Sequence, residues 1–280
     1  MTWRRFEAPA DGGVLVGYLQ GIGPRLLLVH GGPALSGDYL EGLAAELTDG
    51  FEVAWYQQRS LAPSVETGPF TVDQHVRDLV AVLDALEWPS AWLVGHSWGG
   101  HLVVAAAAAI PERVVGVVSV DPLGCVGDGR AAEFEQAMLD RTSPADRKRA
   151  QELDERAMRG EGTPDDALES LRLVWPAYYA DPLTAPPMPA IRMSLDGYAQ
   201  TWASLVDGLP ALEAALPSIG VPVHFVHGAM SPMPVTASTD TAARIPGATV
   251  DVIDRAGHFI WHERPGAVRA AIDRLASSER

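Results

Sequence analysis

Short apolar runs alternate with amphipathic stretches along the first 120 residues of the chain. The apolar runs are four to seven residues long and are bounded by turn residues, which is typical of buried strands. Between them, residues 37–47 and 71–86 repeat apolar side chains every three or four positions, the spacing of a helix with one buried face. Strands that alternate with helices predict a parallel sheet with crossover helices. The predicted strands are residues 14–19, 25–29, 51–56, 91–94 and 114–120.

The pattern changes after Asp121. From residue 127 to about residue 205 the chain is first rich in charge and then rich in aromatic residues and proline, without β-branched runs. This composition predicts a helical insertion. The strand and helix rhythm returns with strands at 221–226 and 248–253, and with helices at 236–244 and 265–276. We therefore expect a core formed by residues 1–121 and 206–280, and a helical cap formed by residues 122–205.

Charge and cysteine content narrow the class of partner. The chain has 36 acidic and 21 basic residues and a net charge of −15, which disfavours binding to nucleic acid or to an anionic membrane. Its one cysteine, Cys125, excludes an internal disulfide and a zinc site with paired cysteines. The longest apolar run, residues 102–110, is too short to span a membrane. We expect a cytoplasmic protein that acts on a small molecule without a metal or cofactor; the oligomeric state stays open.

Residues 95–100, Gly-His-Ser-Trp-Gly-Gly, carry the first sign of chemistry. They fit the pattern G-x-S-x-G, and they lie between a predicted strand and residues 102–110, which are apolar all round and read as a buried helix. A sharp turn in this setting lifts a serine hydroxyl above the edge of the sheet, and flanking glycines avoid collisions with the neighbouring strand and helix. A tight turn without chemistry is the alternative. The context favours Ser97 as a nucleophile.

A serine nucleophile needs a base and an acid that orients it. His258 follows the last predicted strand and is the expected base, while His227 and His262 are weaker alternatives. The usual position of the acid follows the strand at 221–226, but Ser231 stands there. Asp121, at the end of the strand beside the nucleophile's strand, is the expected replacement, although an aspartate before a proline is also a good turn residue. Asp128 and Asp254 are further candidates.

The negative charge that develops on a substrate carbonyl needs hydrogen-bond donors. The loop His30-Gly31-Gly32-Pro33 directly follows a predicted strand, and its backbone can turn an N–H group toward the serine. We expect an oxyanion hole formed by the backbone amides of Gly32 and Trp98. His30 is expected to support the loop rather than to transfer protons.

Three motifs together resemble the proline iminopeptidase family of α/β-hydrolases. Residues 30–33 resemble its HGGPG motif, residues 55–59 its YDQRG motif, and residues 95–100 its GxSWGG motif. Ala34, Gln57 and Ser231 depart from the family pattern. The resemblance implies an α/β-hydrolase fold, that is, a mostly parallel eight-stranded sheet with helices on both faces and an inserted helical cap. It also implies a shared mechanism, whereas no glutamate in the insertion can be matched to the family's recognition of a free amine.

These observations predict a serine hydrolase that cleaves an ester, thioester or amide bond through an acyl-enzyme. The alternatives are an aminopeptidase of the iminopeptidase type, a related enzyme that opens epoxides or acts as a lyase, and a ligand receptor without turnover. Aromatic and methionine side chains of the insertion are expected to enclose an apolar substrate. The expected substrate-binding residues are Trp175, Tyr178, Tyr179, Met193, Trp202 and Phe259.

Overall fold

A single sheet of eight strands forms the centre of the protein. The computed structural model describes residues 3–278. The strands lie in the order β1-β2-β4-β3-β5-β6-β7-β8; β2 pairs antiparallel with β1 and β4, and the other neighbours are parallel. Their bounds are β1 Arg4–Ala10, β2 Gly13–Gly21, β3 Arg25–Val29, β4 Glu52–Tyr56, β5 Ala91–His96, β6 Val114–Val120, β7 Val223–Gly228 and β8 Thr249–Ile253.

Strand β1 is the one strand that the hydrophobic pattern does not predict. It lies at the edge of the sheet and contains charged residues and Pro9, and only Phe6 and Ala8 of its side chains are buried. A proline is tolerated there because an edge strand need not donate every backbone hydrogen bond. The strand forms because a tight hairpin, with Ala10 opposite Gly13, pairs it with β2, and the hydrophobic pattern does not show this pairing.

Helices cover both faces of the sheet. Side chains of β3 alternate between the two faces, so that Leu27 and Val29 pack in one core cluster, and Leu26 and Leu28 pack in the other. Helices α2 and α3 contribute to the first cluster, and α1 and α10 contribute to the second. The helices are α1 Glu41–Leu47, α2 Val72–Ala85, α3 Trp98–Ala109, α4 Ala131–Arg141, α5 Pro144–Met158, α6 Pro164–Val174, α7 Leu195–Ala215, α8 Thr236–Ala242, α9 Ile260–Glu263 and α10 Ala267–Ser278.

Four of these helices, α4 to α7, form an insertion between β6 and β7. Helix α7 runs unbroken across the boundary expected between residues 205 and 206, and Leu205 and Leu209 pack in the first core cluster. This helix therefore belongs to the insertion at its start and to the core at its end. No helix within residues 3–278 is long and apolar enough to cross a membrane.

The segment that leads into α7 runs antiparallel to the loop after β3. Ser194 N–H donates to the Ala34 carbonyl at 3.0 Å, and Ser36 N–H donates to the Arg192 carbonyl at 3.0 Å. Arg192 N–H in turn donates to the Ser36 hydroxyl at 3.1 Å. The segment that leads from the insertion back to the core is thus hydrogen-bonded to the loop that follows β3.

Parallel pairing brings four loops to one edge of the sheet. Val29 pairs with Gly95, and His96 pairs with Val120, so the loops after β3, β5 and β6 begin side by side. Val120 pairs with Val226, which places the loop after β7 next to them. The carboxyl edge of a parallel sheet is where α/β proteins bind ligands.

Candidate active site

Ser97 occupies a strained turn between β5 and α3. Its φ of 57° and ψ of −119° lie outside the usual regions for a residue with a side chain, and its N–H donates to the Val120 carbonyl at 2.9 Å. Glycine is required beside it: a Cβ on Gly99 would lie 2.3 Å from the Val29 carbonyl oxygen, and one on Gly95 would lie 2.1 Å from the Gly99 carbonyl oxygen. The turn has the geometry expected of a nucleophile elbow.

Asp121 and His258 are hydrogen-bonded to each other in the interior. Asp121 Oδ1 lies 2.8 Å from His258 Nδ1, and the aspartate is completely buried. The carboxylate also accepts hydrogen bonds from the Ser231 hydroxyl at 2.7 Å and from Gly228 N–H at 2.8 Å. A carboxylate accepts hydrogen bonds and does not donate them, so His258 Nδ1 is the donor in this contact. Because Nδ1 donates to Asp121, the His258 Nε2 atom is left to accept a proton.

The alternative bases and acids have other partners. His227 is buried and hydrogen-bonded to Ser238 and to the Met233 carbonyl, although its Nε2 lies 3.8 Å from an oxygen of Asp121. His262 pairs with the Tyr179 hydroxyl at 3.0 Å. Asp128 accepts hydrogen bonds from backbone N–H groups at the start of α4, and Asp254 is exposed. Asp121 and His258 are hydrogen-bonded to each other, and His258 lines the same cavity as Ser97.

A small cavity of about 60 Å³ joins Ser97 to His258. The Ser97 hydroxyl forms no hydrogen bond to another residue in the described part of the chain. Among the described lining residues there is no carboxylate and no lysine or arginine. Most of the wall is apolar. The lining consists of Gly32, Leu35, Tyr39, His96, Ser97, Leu171, Trp175, Tyr178, Ile191, His258 and Phe259.

Half of the expected substrate-binding residues reach this cavity. Trp175, Tyr178 and Phe259 line it, whereas Tyr179, Met193 and Trp202 lie outside its lining. Trp175 and Phe259 pack with ring centroids 4.8 Å apart.

The other three aromatic and methionine positions have structural neighbours. Tyr179 bonds to His262 behind the wall, and Met193 bridges to Leu35 through its backbone. Trp202 stacks on Tyr198 along α7 and packs against the first core cluster, because α7 turns this face toward the core. A role of these three residues in substrate binding stays a prediction.

Five lining residues escape the sequence patterns. Leu35 and Tyr39 come from the segment after β3, Leu171 from α6, and Ile191 from the segment before α7. Each is an ordinary apolar or aromatic residue without a motif of its own. His96 is the fifth. It lies inside the G-x-S-x-G motif, and this place in the motif is the one feature of the sequence that points to it as a lining residue.

The expected oxyanion donors lie on two of the converging loops. Gly32 lines the cavity with a φ of 58°. Trp98 is the first residue of α3, so its N–H has no acceptor within the helix and points out of the helix end. The helix dipole also favours negative charge at this end. The role of both amides as oxyanion donors stays a prediction.

The motif at residues 55–59 holds these loops in place. The Gln57 side chain accepts from Gly37 N–H at 3.0 Å and donates to the Leu35 carbonyl at 3.2 Å. The Arg59 guanidinium forms a doubly hydrogen-bonded ion pair with Asp78, and both side chains are buried. The family motif has an aspartate at this position, and an aspartate has no amide group that could donate to the Leu35 carbonyl. The glutamine at position 57 therefore makes a contact that the family residue could not make.

Among the side chains that the structure describes, no group of three or more histidine, cysteine, aspartate or glutamate residues is arranged to hold a metal ion. Cys125 is buried, and its burial raises the pKa of the thiol to about 12. This cysteine is therefore held as an inert thiol.

The comparison with known proteins identifies the family of the chain. Residues 24–265 match the model of the alpha/beta hydrolase fold family, so the chain belongs to that family and is a hydrolase. It is 29% identical to lipase LipV of Mycobacterium tuberculosis, over 73% of this chain and 75% of that protein. It is 27% identical to epoxide hydrolase A of the same organism, over 89% of each chain. The crystal structure of a hydrolase from Pseudomonas aeruginosa shares the fold with a TM-score of 0.68, at 23% identity over 98% of each chain.

Proposed function

We propose that this hydrolase uses Ser97 as its nucleophile, His258 as its general base and Asp121 as the acid that orients the histidine. The hydrogen bond of 2.8 Å between Asp121 and His258, beside the strained turn of Ser97, carries the proposal. The buried aspartate fixes the tautomer of His258 with its proton on Nδ1, and it stabilises the imidazolium that forms during the reaction. The acid that the sequence lacks at position 231 is thereby supplied from β6.

The proposed reaction has two halves. His258 Nε2 takes the proton of Ser97 as Oγ attacks the substrate carbonyl, and the amides of Gly32 and Trp98 bind the resulting oxyanion. His258 then donates its proton to the leaving group, which departs and leaves an acyl group on Ser97. Water attacks this ester with His258 again as base, and the acid product is released.

The insertion is proposed to act as a cap over this site. Leu171, Trp175 and Tyr178 come from the insertion and line the cavity opposite Ser97, so they exclude water from the reacting centre. The cavity of about 60 Å³ is small, and its wall is mostly apolar. We therefore propose that the substrate is an ester or thioester of a short, uncharged acyl group.

An aminopeptidase finds less support. Recognition of a free amine needs a carboxylate near the reacting carbonyl, and no described lining residue supplies one. Glu133 and Glu169, two acidic residues of the insertion, are paired with Arg130 and Arg149 at its surface.

Epoxide opening is disfavoured by the nucleophile itself. A serine oxygen that opened an epoxide would remain attached through an ether, and an ether has no carbonyl that water can attack. A receptor without turnover would be favoured by the lack of a catalytic acid, and the contact between Asp121 and His258 argues against it.

A fluorophosphonate probe, which phosphonylates activated serines, tests the proposed nucleophile. We expect the purified protein to be labelled at Ser97 and to hydrolyse p-nitrophenyl acetate. Ser97→Ala is expected to lose both properties. Ser218→Ala, which removes an exposed hydroxyl far from the cavity, serves as the control and is expected to retain them. Labelling of Ser97→Ala at another residue would contradict the proposal.

The buried, unpaired Cys125 also supports a reducing compartment. We place the enzyme in the cytoplasm on this ground.

A further inference from the structure

Both ends of the Gly31 residue are held by side chains. Its N–H donates to the Tyr39 hydroxyl at 2.6 Å, and its carbonyl accepts a hydrogen bond of 2.9 Å from His30 Nδ1. Because a trans peptide points its C=O and its N–H in opposite directions, the grip on the Gly31 carbonyl also aims the Gly32 N–H. That N–H is the oxyanion donor of the proposed function.

Gln58 fixes which nitrogen of His30 carries the proton. The backbone N–H of Gln58 donates to His30 Nε2 at 3.1 Å, so Nδ1 must bear the hydrogen that Gly31 accepts. The Gln58 side chain donates to the His30 carbonyl at 2.7 Å and accepts from the Trp98 indole N–H at 2.9 Å. One glutamine therefore ties together the two segments that supply the oxyanion donors.

The Tyr39 hydroxyl continues the chain of hydrogen bonds to the elbow. Since it accepts from Gly31, it uses its own proton to donate to His96 Nδ1, 2.9 Å away. His96 must then carry its proton on Nε2, which donates to the His258 carbonyl at 3.1 Å. Burial lowers the pKa of His96 well below its usual value, in agreement with a neutral ring.

The Tyr39 hydroxyl also lies close to the nucleophile. A Cβ placed on Gly31 would be 2.9 Å from the Tyr39 oxygen and 2.8 Å from Ser97 Cβ, so both groups pack against the side of Gly31 where a side chain would stand. A movement of Gly31 would therefore change the geometry of the reacting centre directly.

We propose that Tyr39 is a positioning residue of the reaction: its hydroxyl holds Gly31 so that the Gly32 N–H meets the oxyanion, and it couples this loop through His96 to the loop of His258. The inference rests on the proposed function. Tyr39 acts on the donor without binding substrate charge itself. Its loss is therefore expected to weaken binding of the transition state more than binding of the substrate.

Tyr39→Phe removes the hydroxyl and keeps the ring, and Tyr18→Phe, on β2 and away from the cavity, is the matched control. For p-nitrophenyl acetate we expect Tyr39→Phe to lower kcat by about 10- to 100-fold and to change KM by less than about threefold. This is below the loss caused by deleting a donor outright, because the Gly32 N–H is still present. The control is expected to match the wild type.

A short alkyl trifluoromethyl ketone gives a readout that a purely structural role would not move. Its adduct with Ser97 places an oxyanion in the hole, so its inhibition constant is expected to rise in Tyr39→Phe by the same factor as kcat/KM falls. If kcat/KM and the inhibition constant of a folded Tyr39→Phe protein both stay within about twofold of the wild type, the inference is wrong.

Two variants of His30 test the same grip independently, should Tyr39→Phe not fold. His30→Asn places an amide donor where Nδ1 lies, whereas His30→Gln places its amide near Nε2 and leaves the Gly31 carbonyl without a donor. We expect His30→Asn to retain more activity than His30→Gln; the reverse order would overturn the inference. A wild-type protein that is neither labelled nor active would instead contradict the proposed function, on which the inference depends.

Discussion

The Ser231 hydroxyl donates a hydrogen bond of 2.7 Å to Oδ1 of Asp121, the same carboxylate oxygen that contacts His258 Nδ1. The serine at the usual position of the acid and the aspartate proposed to replace the acid are therefore in direct contact. This contact explains how a neutral residue is accommodated at position 231: it supplies a donor to the displaced carboxylate.

Asp121→Asn is expected to lower kcat/KM for p-nitrophenyl acetate by about 10³- to 10⁴-fold, because an amide neither stabilises the imidazolium nor enforces the required tautomer. Ser231→Ala is expected to lower it by less than about tenfold, since the carboxylate keeps its contacts with Gly228 and His258. Steady-state kinetics of both variants measure the ranking. A larger loss in Ser231→Ala than in Asp121→Asn would remove Asp121 from its proposed role.

Moving the acid gives a sharper form of the same test. In Asp121→Asn/Ser231→Asp the carboxylate lies on the loop after β7, within reach of the same histidine. We expect this double variant to regain at least tenfold of the activity lost in Asp121→Asn. Ser231→Asp alone puts two carboxylates in contact, so they share a proton and activity falls at neutral pH. No gain of the double variant over Asp121→Asn would show that the second position cannot serve His258.

The cavity volume predicts a preference for short acyl chains. Among p-nitrophenyl esters from acetate to octanoate, we expect kcat/KM to be highest for acyl groups of two or three carbons. Ile191→Ala removes three carbons from the cavity wall and is expected to shift the optimum to about five carbons. Ile219→Ala, buried in the core away from the cavity, controls for loss of stability and is expected to leave the optimum unchanged. A wild-type preference for octanoate would contradict the proposed acyl group.

Ala34 adopts a φ of 61°, in the left-handed region that favours glycine. Ala34→Gly is therefore expected to raise the free energy of unfolding by up to about 1 kcal/mol, measured by urea denaturation. Ala132→Gly, on the exposed face of α4, is the matched control and is expected to lower it by about 1 kcal/mol. A loss of stability in Ala34→Gly would show that the local backbone is not strained.

Buried histidines predict a loss of stability in acid. Burial lowers the pKa of His30 and of His101 to about 4 and that of His75 to about 3. Their unfolded forms take up protons below about pH 6.5, while the folded forms do not. The free energy of unfolding is thus fully maintained above pH 6.5, and between pH 6.5 and 4 each such histidine withdraws up to about 1.4 kcal/mol per pH unit.

Urea denaturation at pH 7.5, 6 and 5 measures this dependence. His75→Phe removes one of the groups. It also removes the 3.5 Å contact between His75 Nε2 and the buried Thr201 hydroxyl, so the slope with pH is compared with the wild type rather than the absolute free energy of unfolding. We expect this variant to show a shallower fall between pH 6.5 and 5 than the wild type. An equal fall in both proteins would mean that His75 is not held neutral by the fold.

The sequence predicts the parts of the site that depend on local geometry. The G-x-S-x-G motif between a strand and an apolar helix predicts that Ser97 lies at the turn between them, and the structure places it there. Parallel pairing of β5 with β6 brings Asp121, which follows β6, next to the end of β5. These predictions follow from the order and register of the strands, because residues at the ends of adjacent parallel strands lie at the same edge of the sheet.

The cavity wall and the hydrogen bonds around Gly31 are formed by residues that lie far apart in the sequence. Tyr39 lies 57 residues before its partner His96, and Leu171 and Ile191 reach the cavity only through the packing of the insertion. Trp202 and Trp175 have equal aromatic character in the sequence, yet one packs on the core and the other on the cavity. Which face a helix of the insertion turns toward Ser97 depends on tertiary contacts that no short pattern encodes.

The pairing of residues 192–194 with residues 34–36 fixes the unit in which this insertion can be exchanged. The segment before α7 is hydrogen-bonded to the loop that follows β3, so its last residues are part of the same edge of the sheet as that loop. A chimaera that receives the insertion of a relative should therefore be joined within α4 and before residue 191. Joined further along, it would replace the residues that pair with the loop after β3 and dislodge that loop.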